Sequence, residues 1–227
     1  MYKQLATLTV PAVLAMITGM APLRADGPDE ISFNLAPNPK FAACLAKDPY
    51  TTPTAKVTVS RGTANDVMIV RLENFKPGAA FDLFTIQRSN LKADGTPDPS
   101  FPNFGLAWYQ SDIHVGDDGK AEASVKSILL DGIFGFDPDA ALPPTHTFHV
   151  GFWFDSPQDA VSCGFDPGKP TPFNSEHQAG PNAMISLPDA ISGQGPLLTV
   201  SASSAPGAGH SATAKLEHCS GGMCVSK

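Results

Sequence analysis

The sequence predicts an all-β protein, a single antiparallel β-sandwich with long irregular loops. Three observations lead there. The 227 residues include 22 prolines and 20 glycines, and only 16% are charged, a composition that suits short strands and many turns better than long helices. Several segments alternate apolar and polar residues, the pattern of strands half-buried on one face. Strong turn signals separate them, above all Gly116-Asp117-Asp118-Gly119.

Met1 to Ala25 has the pattern of a secretory signal peptide: Lys3 as a short positive region, an apolar run over Leu5 to Met20, and Ala25 as a small residue for cleavage. Leu23, three positions from the cut, is bulkier than usual. The apolar run is broken by Pro11 and Gly19 and is shorter than the roughly 20 residues of a spanning helix. The expectation is an exported protein, extracellular or periplasmic, with no membrane span after cleavage.

Asp26 to Ala55, rich in proline and polar residues, reads as an irregular N-terminal arm. The sandwich is expected over 56–200. Lys56 to Ser60 alternates, and Asp66 to Phe75 places Met68, Val70 and Leu72 on one face. Phe81 to Gln87 is apolar on both faces, as in a central strand. Ser89 to Asn103 reads as a loop, and Gly105 to Val115 as a strand carrying Trp108 and Tyr109. After the turn at 116–119, Ala121, Ala123 and Val125 alternate with Glu122, Ser124 and Lys126.

Leu129 to Pro144 reads as a loop with a helical turn near Asp137 to Leu142. His146 to Asp155 is the clearest strand: Phe148, Val150, Phe152 and Phe154 share the face expected to be core, and His149, Trp153 and Asp155 share the other. Ser156 to Pro181 reads as irregular, Ala183 to Leu187 and Leu197 to Val200 as short final strands, and 201–227 as a disordered tail of Ser, Ala and Gly.

The turn at Phe75-Lys76-Pro77-Gly78 and the Asp117-Asp118-Gly119-Lys120-Ala121 hairpin resemble those of immunoglobulin-like domains in secreted bacterial proteins of uncharacterised function, over roughly residues 56–190. That resemblance implies a fold and no activity.

The four cysteines allow three connectivities. The economical one pairs Cys44 with Cys163, pinning the arm to the sandwich, and Cys219 with Cys224 in the tail. His210 and His218 beside the tail cysteines also permit a metal-binding reading, but the spacing matches no strong zinc pattern. No metal and no cofactor is expected.

A formal net charge of −7, without a dense Lys/Arg cluster, argues against nucleic acid and against anionic membrane as partner. No nucleophile elbow, His-Glu-x-x-His, phosphate loop or dinucleotide fingerprint is present. His146 and His149, three apart on a strand, point to opposite faces and do not share an ion. Acidic loop residues such as Asp94, Asp98 and Asp166 follow turn chemistry and no calcium-loop spacing.

The leading expectation is therefore a non-enzymatic binding or envelope-associated module. A carbohydrate-binding module is the alternative, with His149, Trp153 and Asp155 in a row and Trp108 or Tyr109 as a second platform. Against that row stands burial of Trp153 beneath the adjacent 156–181 loop, the arrangement that the loop's proximity favours. A secreted hydrolase with dispersed residues is the third reading.

Overall fold

The computed structural model describes residues 29–130, 135–137, 142–169 and 179–198. The leader at 1–25, the 201–227 tail and the Cys219–Cys224 pairing lie outside the described residues. No helix among the described residues is long and apolar enough to cross a membrane.

The chain is antiparallel β. Its strands are β1 (Glu30–Pro37), β2 (Thr54–Ser60), β3 (Asp66–Glu73), β4 (Ala80–Ile86), β5 (Ala107–His114), β6 (Ala121–Ser127), β7 (Gly135–Asp137), β8 (Leu142–Thr145), β9 (Thr147–Phe154), β10 (Asn182–Ser186) and β11 (Leu197–Leu198). One sheet runs β5-β4-β9-β10-β1-β2-β3-β6, with β11 added to β9, while β7 and β8 form a separate ribbon. The end strands β5 and β6 are consecutive in the chain and lie close together, so the sheet curls into a nearly closed barrel.

The turn after β5 does not make the expected hairpin. Gly116 N–H donates to the Lys120 carbonyl at 2.8 Å, closing the turn, but β5 then pairs with β4 and β6 with β3. The turn thus carries the chain from one edge of the curled sheet to the other.

The expected irregular arm is corrected too. Glu30–Pro37 is a strand held between β2 and β10. Ile31, Phe33 and Leu35 alternate there with Glu30, Ser32 and Asn34, a period-two pattern lying among Pro28, Pro37 and Pro39. The loop with a helical turn expected over 129–144 instead contains the paired β7 and β8 at Asp137 and Leu142; 138–141 lie outside the described residues.

The barrel interior takes Val57 and Val59 from β2, Met68, Val70 and Leu72 from β3, Phe81 and Leu83 from β4, and Phe148, Val150, Phe152 and Phe154 from β9. The face assigned to the core on β9 is thus the one that is buried there. Phe81 and Phe152 meet at 4.8 Å between ring centroids, with Phe75 at 5.8 Å from Phe81. Such aromatic packing adds about 0.5–1.5 kcal/mol per pair beyond area burial.

A second apolar layer forms on the outer side of β4 and β9, where Phe84, Ile86, Trp153 and Ile185 lie against Leu91 and Phe104 of the 88–106 loop.

Cys44 and Cys163 are bonded, with a Cα–Cα distance of 5.3 Å across a separation of 119 residues. The bond joins the short helix α1 (Ala42–Leu45) to the 3-10 helix Pro157–Cys163. A loop this long is worth about 4–5 kcal/mol on chain-entropy grounds.

Candidate functional site

The outer face of β4 and β5 holds a polar cluster beside the second apolar layer. Its geometry begins with a fault in the ladder. Leu83 pairs with Ser111 and Phe84 with Tyr109, so Gln110 is an extra residue in β5. Such a bulge re-aims the side chains on either side of it. Residues 109 and 112, three apart, face opposite ways on a regular strand. Here they share a face, and Tyr109 donates its phenol proton to Asp112 Oδ1 at 2.6 Å. Gln110 Nε2 donates to Thr85 Oγ1 at 2.8 Å, which holds the bulge.

Asp82 pairs with Asp112 on one side and with Trp153 on the other. Asp155, two residues beyond Trp153, falls on the same face. Carboxylate oxygens of Asp82, Asp112 and Asp155 all lie within 4.8 Å of one another. Asp82 is fully buried, Asp155 half-buried and Asp112 exposed. The Tyr109 ring is 52% exposed and packs edge-on against Phe84 at 5.7 Å. Burial first, then the bond to Asp112, then the charges of Asp112, Asp82 and Asp155 hold its phenol well above the usual range, so it remains a donor.

This face offers an aromatic ring next to carboxylate acceptors, a combination suited to a ligand with C–H faces and hydroxyl donors.

The structure divides the expected row. Trp153 is 0% exposed, closed in by Phe84 at 5.4 Å and Phe104 at 5.0 Å. Among the described residues, its cover includes Leu91, Phe101 and Phe104 of the 88–106 loop and Ala179 near the end of 156–181. That loop returns to the strand through Arg88 N–H to the Phe104 carbonyl at 3.0 Å and Leu106 N–H to Gln87 Oε1 at 3.1 Å. Gly105, at φ 71°, fits where a Cβ would lie 2.3 Å from Gln87 Oε1.

His149 is also buried, with Nδ1 3.0 Å from both the carbonyl and the hydroxyl oxygen of Ser186. Burial pushes its imidazole down to about 4, against the opposing bond to the Ser186 carbonyl. Neither residue faces solvent as a platform.

Trp108 is 40% exposed but packs on Phe148 at 4.9 Å, on the barrel side of β5, away from Tyr109. The two rings form no shared surface. Of the five residues expected to bind, Tyr109 and Asp155 come together; His149, Trp153 and Trp108 do not join them. Sequence reasoning missed Asp82 and Asp112. A signal existed: Asp82 is the one carboxylate inside Phe81-Asp82-Leu83-Phe84, a run otherwise apolar on both faces.

Comparison with known protein families, curated proteins and solved structures finds no match to this chain.

Proposed function

We propose that the chain is an exported, non-enzymatic binding module, and that its ligand is a carbohydrate or related polyhydroxylated component of the cell envelope. The observation that carries the reading is the Gln110 bulge, which seats the exposed Tyr109 ring beside Asp112 and Asp155. A sugar's C–H face stacks on the ring, and its hydroxyls donate to the two solvent-reaching carboxylates, with buried Asp82 behind them.

Export is supported by the leader-like residues 1–25 and by the Cys44–Cys163 bond, since disulfides persist mainly in oxidising compartments. Kinship with immunoglobulin-like sandwiches belongs to the same proposal, supported by the antiparallel strands and the turn at 75–78. The net charge of −7 favours a neutral ligand over nucleic acid or an anionic membrane.

A glycosidase reading fits the cluster less well. Its two carboxyl groups stand about 5–5.5 Å apart in retaining enzymes and about 6.5–9.5 Å apart in inverting ones. Three carboxylates converging within 4.8 Å are more tightly grouped.

The test is calorimetric titration of the full chain with a panel of soluble glycans, with calcium and with a chelator. At least one glycan should bind. Tyr109→Ala should weaken it about tenfold, the equivalent of about 1.4 kcal/mol, while Tyr109→Phe retains most of the affinity. Asp112→Asn should also weaken it. Absence of glycan binding, calcium binding alone, or wild-type affinity in both Tyr109→Ala and Asp112→Asn would overturn the proposal.

A further inference from the structure

The opposite end of β9 carries a second device, independent of the Tyr109 face. After β10 the chain arches through 187–196 and returns as β11, where Leu197 and Leu198 pair with Phe148 and Thr147. Leu197 is wholly buried in the barrel core. Gly195 N–H donates to Thr147 Oγ1 at 2.8 Å, and Thr147 Oγ1 to the Gly195 carbonyl at 3.3 Å. The arch itself is tied by Asp189, whose Oδ1 accepts the Ile191 and Ser192 amides at 3.1 and 2.8 Å. A hollow of about 770 Å³ is lined by the arch's own residues, and Ile191 is 95% exposed. The strap is fastened at its feet more than along its length.

His149 lies beneath the C-terminal foot. A Cβ on Gly195 would stand 3.0 Å from His149 Cδ2 and 2.2 Å from the Phe148 carbonyl oxygen. The Gly195 backbone therefore packs against Cδ2 of the ring. The Ser186 carbonyl only accepts, so its contact places a hydrogen on Nδ1. Ser186 Oγ is engaged by the Val150 amide at 3.2 Å. A second proton must go to Nε2, the ring atom bonded to Cδ2.

Among the described residues, the groups around the ring supply no compensating charge. β4 places Ile86 opposite it, β10 supplies Ser186 and the strap supplies Gly195. The charged and titratable residues of these segments lie away from the ring: Asp82 sits across from Asp112 and Trp153 at the other end of β4, Arg88 bonds Asn103 at 2.8 Å, Asp189 accepts amides of its own loop, and His146 is exposed ahead of β9.

We propose that the strap 187–198 is an acid-released clasp, with His149 as the proton sensor that loosens it. Among the described residues a protonated imidazole held there gains no counter-charge, and lifting Gly195 from the ring opens it to water. Release uncovers the outer face of β9 at His149 and withdraws Leu197 from the core.

The direction follows from linkage. Burial holds the ring near 4, below the usual imidazole value of about 6.5, so the closed form binds the proton more weakly than the open one. The ring's contribution to closure is fully present above about 6.5 and is lost as pH falls towards about 4. At pH 5 the opening constant should exceed its value at pH 8 about 30-fold.

Hydrogen exchange read by mass spectrometry on the full chain, corrected for intrinsic rates, tests this. Between pH 8 and pH 5 the 187–198 peptide should open about 30-fold more, while peptides from β2 and β3 keep their protection. His149→Gln should flatten the response. Gly195→Ala should open the strap already at pH 8, with His149 then titrating near 6.5 by NMR. A strap indifferent to pH, an undiminished acid response in His149→Gln, or simultaneous loosening of strap and sheet would overturn the proposal. So would a His149 that still titrates near 4 in Gly195→Ala.

Discussion

Asp82 is a carboxylate in the middle of a strand whose other side chains from Phe81 to Ile86 are apolar or Thr85, all of them buried. It stands directly across from Asp112, and opposed like charges on a sheet cost about 0.2–1 kcal/mol. A ladder shaped for stability alone would avoid that pair, which is the residue-scale reason for placing the ligand face here. Asp112→Asn should accordingly raise the thermal midpoint slightly while weakening the ligand; a lower midpoint would mean that the carboxylate is structural. Phe152→Ala, in the barrel core, should cost about 3–5 kcal/mol by denaturant titration. A loss below about 1 kcal/mol would contradict the packing. The alternation of 148–155 made the faces of β9 readable in the sequence. Burial of Trp153 was the favoured reading and is what the structure has, but its cover was harder to read, because Leu91 and Phe104 lie some 50–60 residues away.

At the scale of elements, the bulge in β5 does most to create the site, and it carried no sequence signal. Trp108-Tyr109-Gln110-Ser111-Asp112 reads as an ordinary strand segment, and only pairing with β4 shows which residue is extra. Deleting Gln110 should send Tyr109 or Asp112 towards the core and destabilise the protein strongly. Gln110→Ala keeps the residue count and should cost only about 1 kcal/mol, the loss of its bond to Thr85. Equal effects of the two changes on the denaturation midpoint would contradict the bulge.

β1 was legible in principle from the alternation of Ile31, Phe33 and Leu35, but the surrounding prolines pointed to irregular chain. The Cys44–Cys163 bond was legible because Cys219 and Cys224 stand close together in the tail sequence, which left Cys44 and Cys163 as the economical pair. Its reduction should lower stability by about 2–5 kcal/mol, measured as the shift in unfolding midpoint with and without reductant. No shift would mean that the arm is held by β1 pairing alone.

For the whole molecule, the sequence specified antiparallel β through composition and turns, but not the order of strands. Sheet order depends on long-range pairs such as β1 with β10 and β4 with β9, which local patterns do not encode. The turn at 116–119 shows why: its local chemistry is that of a hairpin, yet curling of the sheet gives its two strands different partners.

The same curl fixes the proposed roles of the two ends of β9. One end, at Trp153, borders the Asp82–Asp112–Asp155 face, and the other lies beneath the strap. The most direct measurement of the central claim is a map of amide shift changes in the isotope-labelled full chain during titration with the glycan that binds best. Changes should concentrate at 109–112, Asp82 and Asp155, with the barrel interior and the Trp108 side unmoved. Changes centred elsewhere, with 109–112 silent, would contradict it.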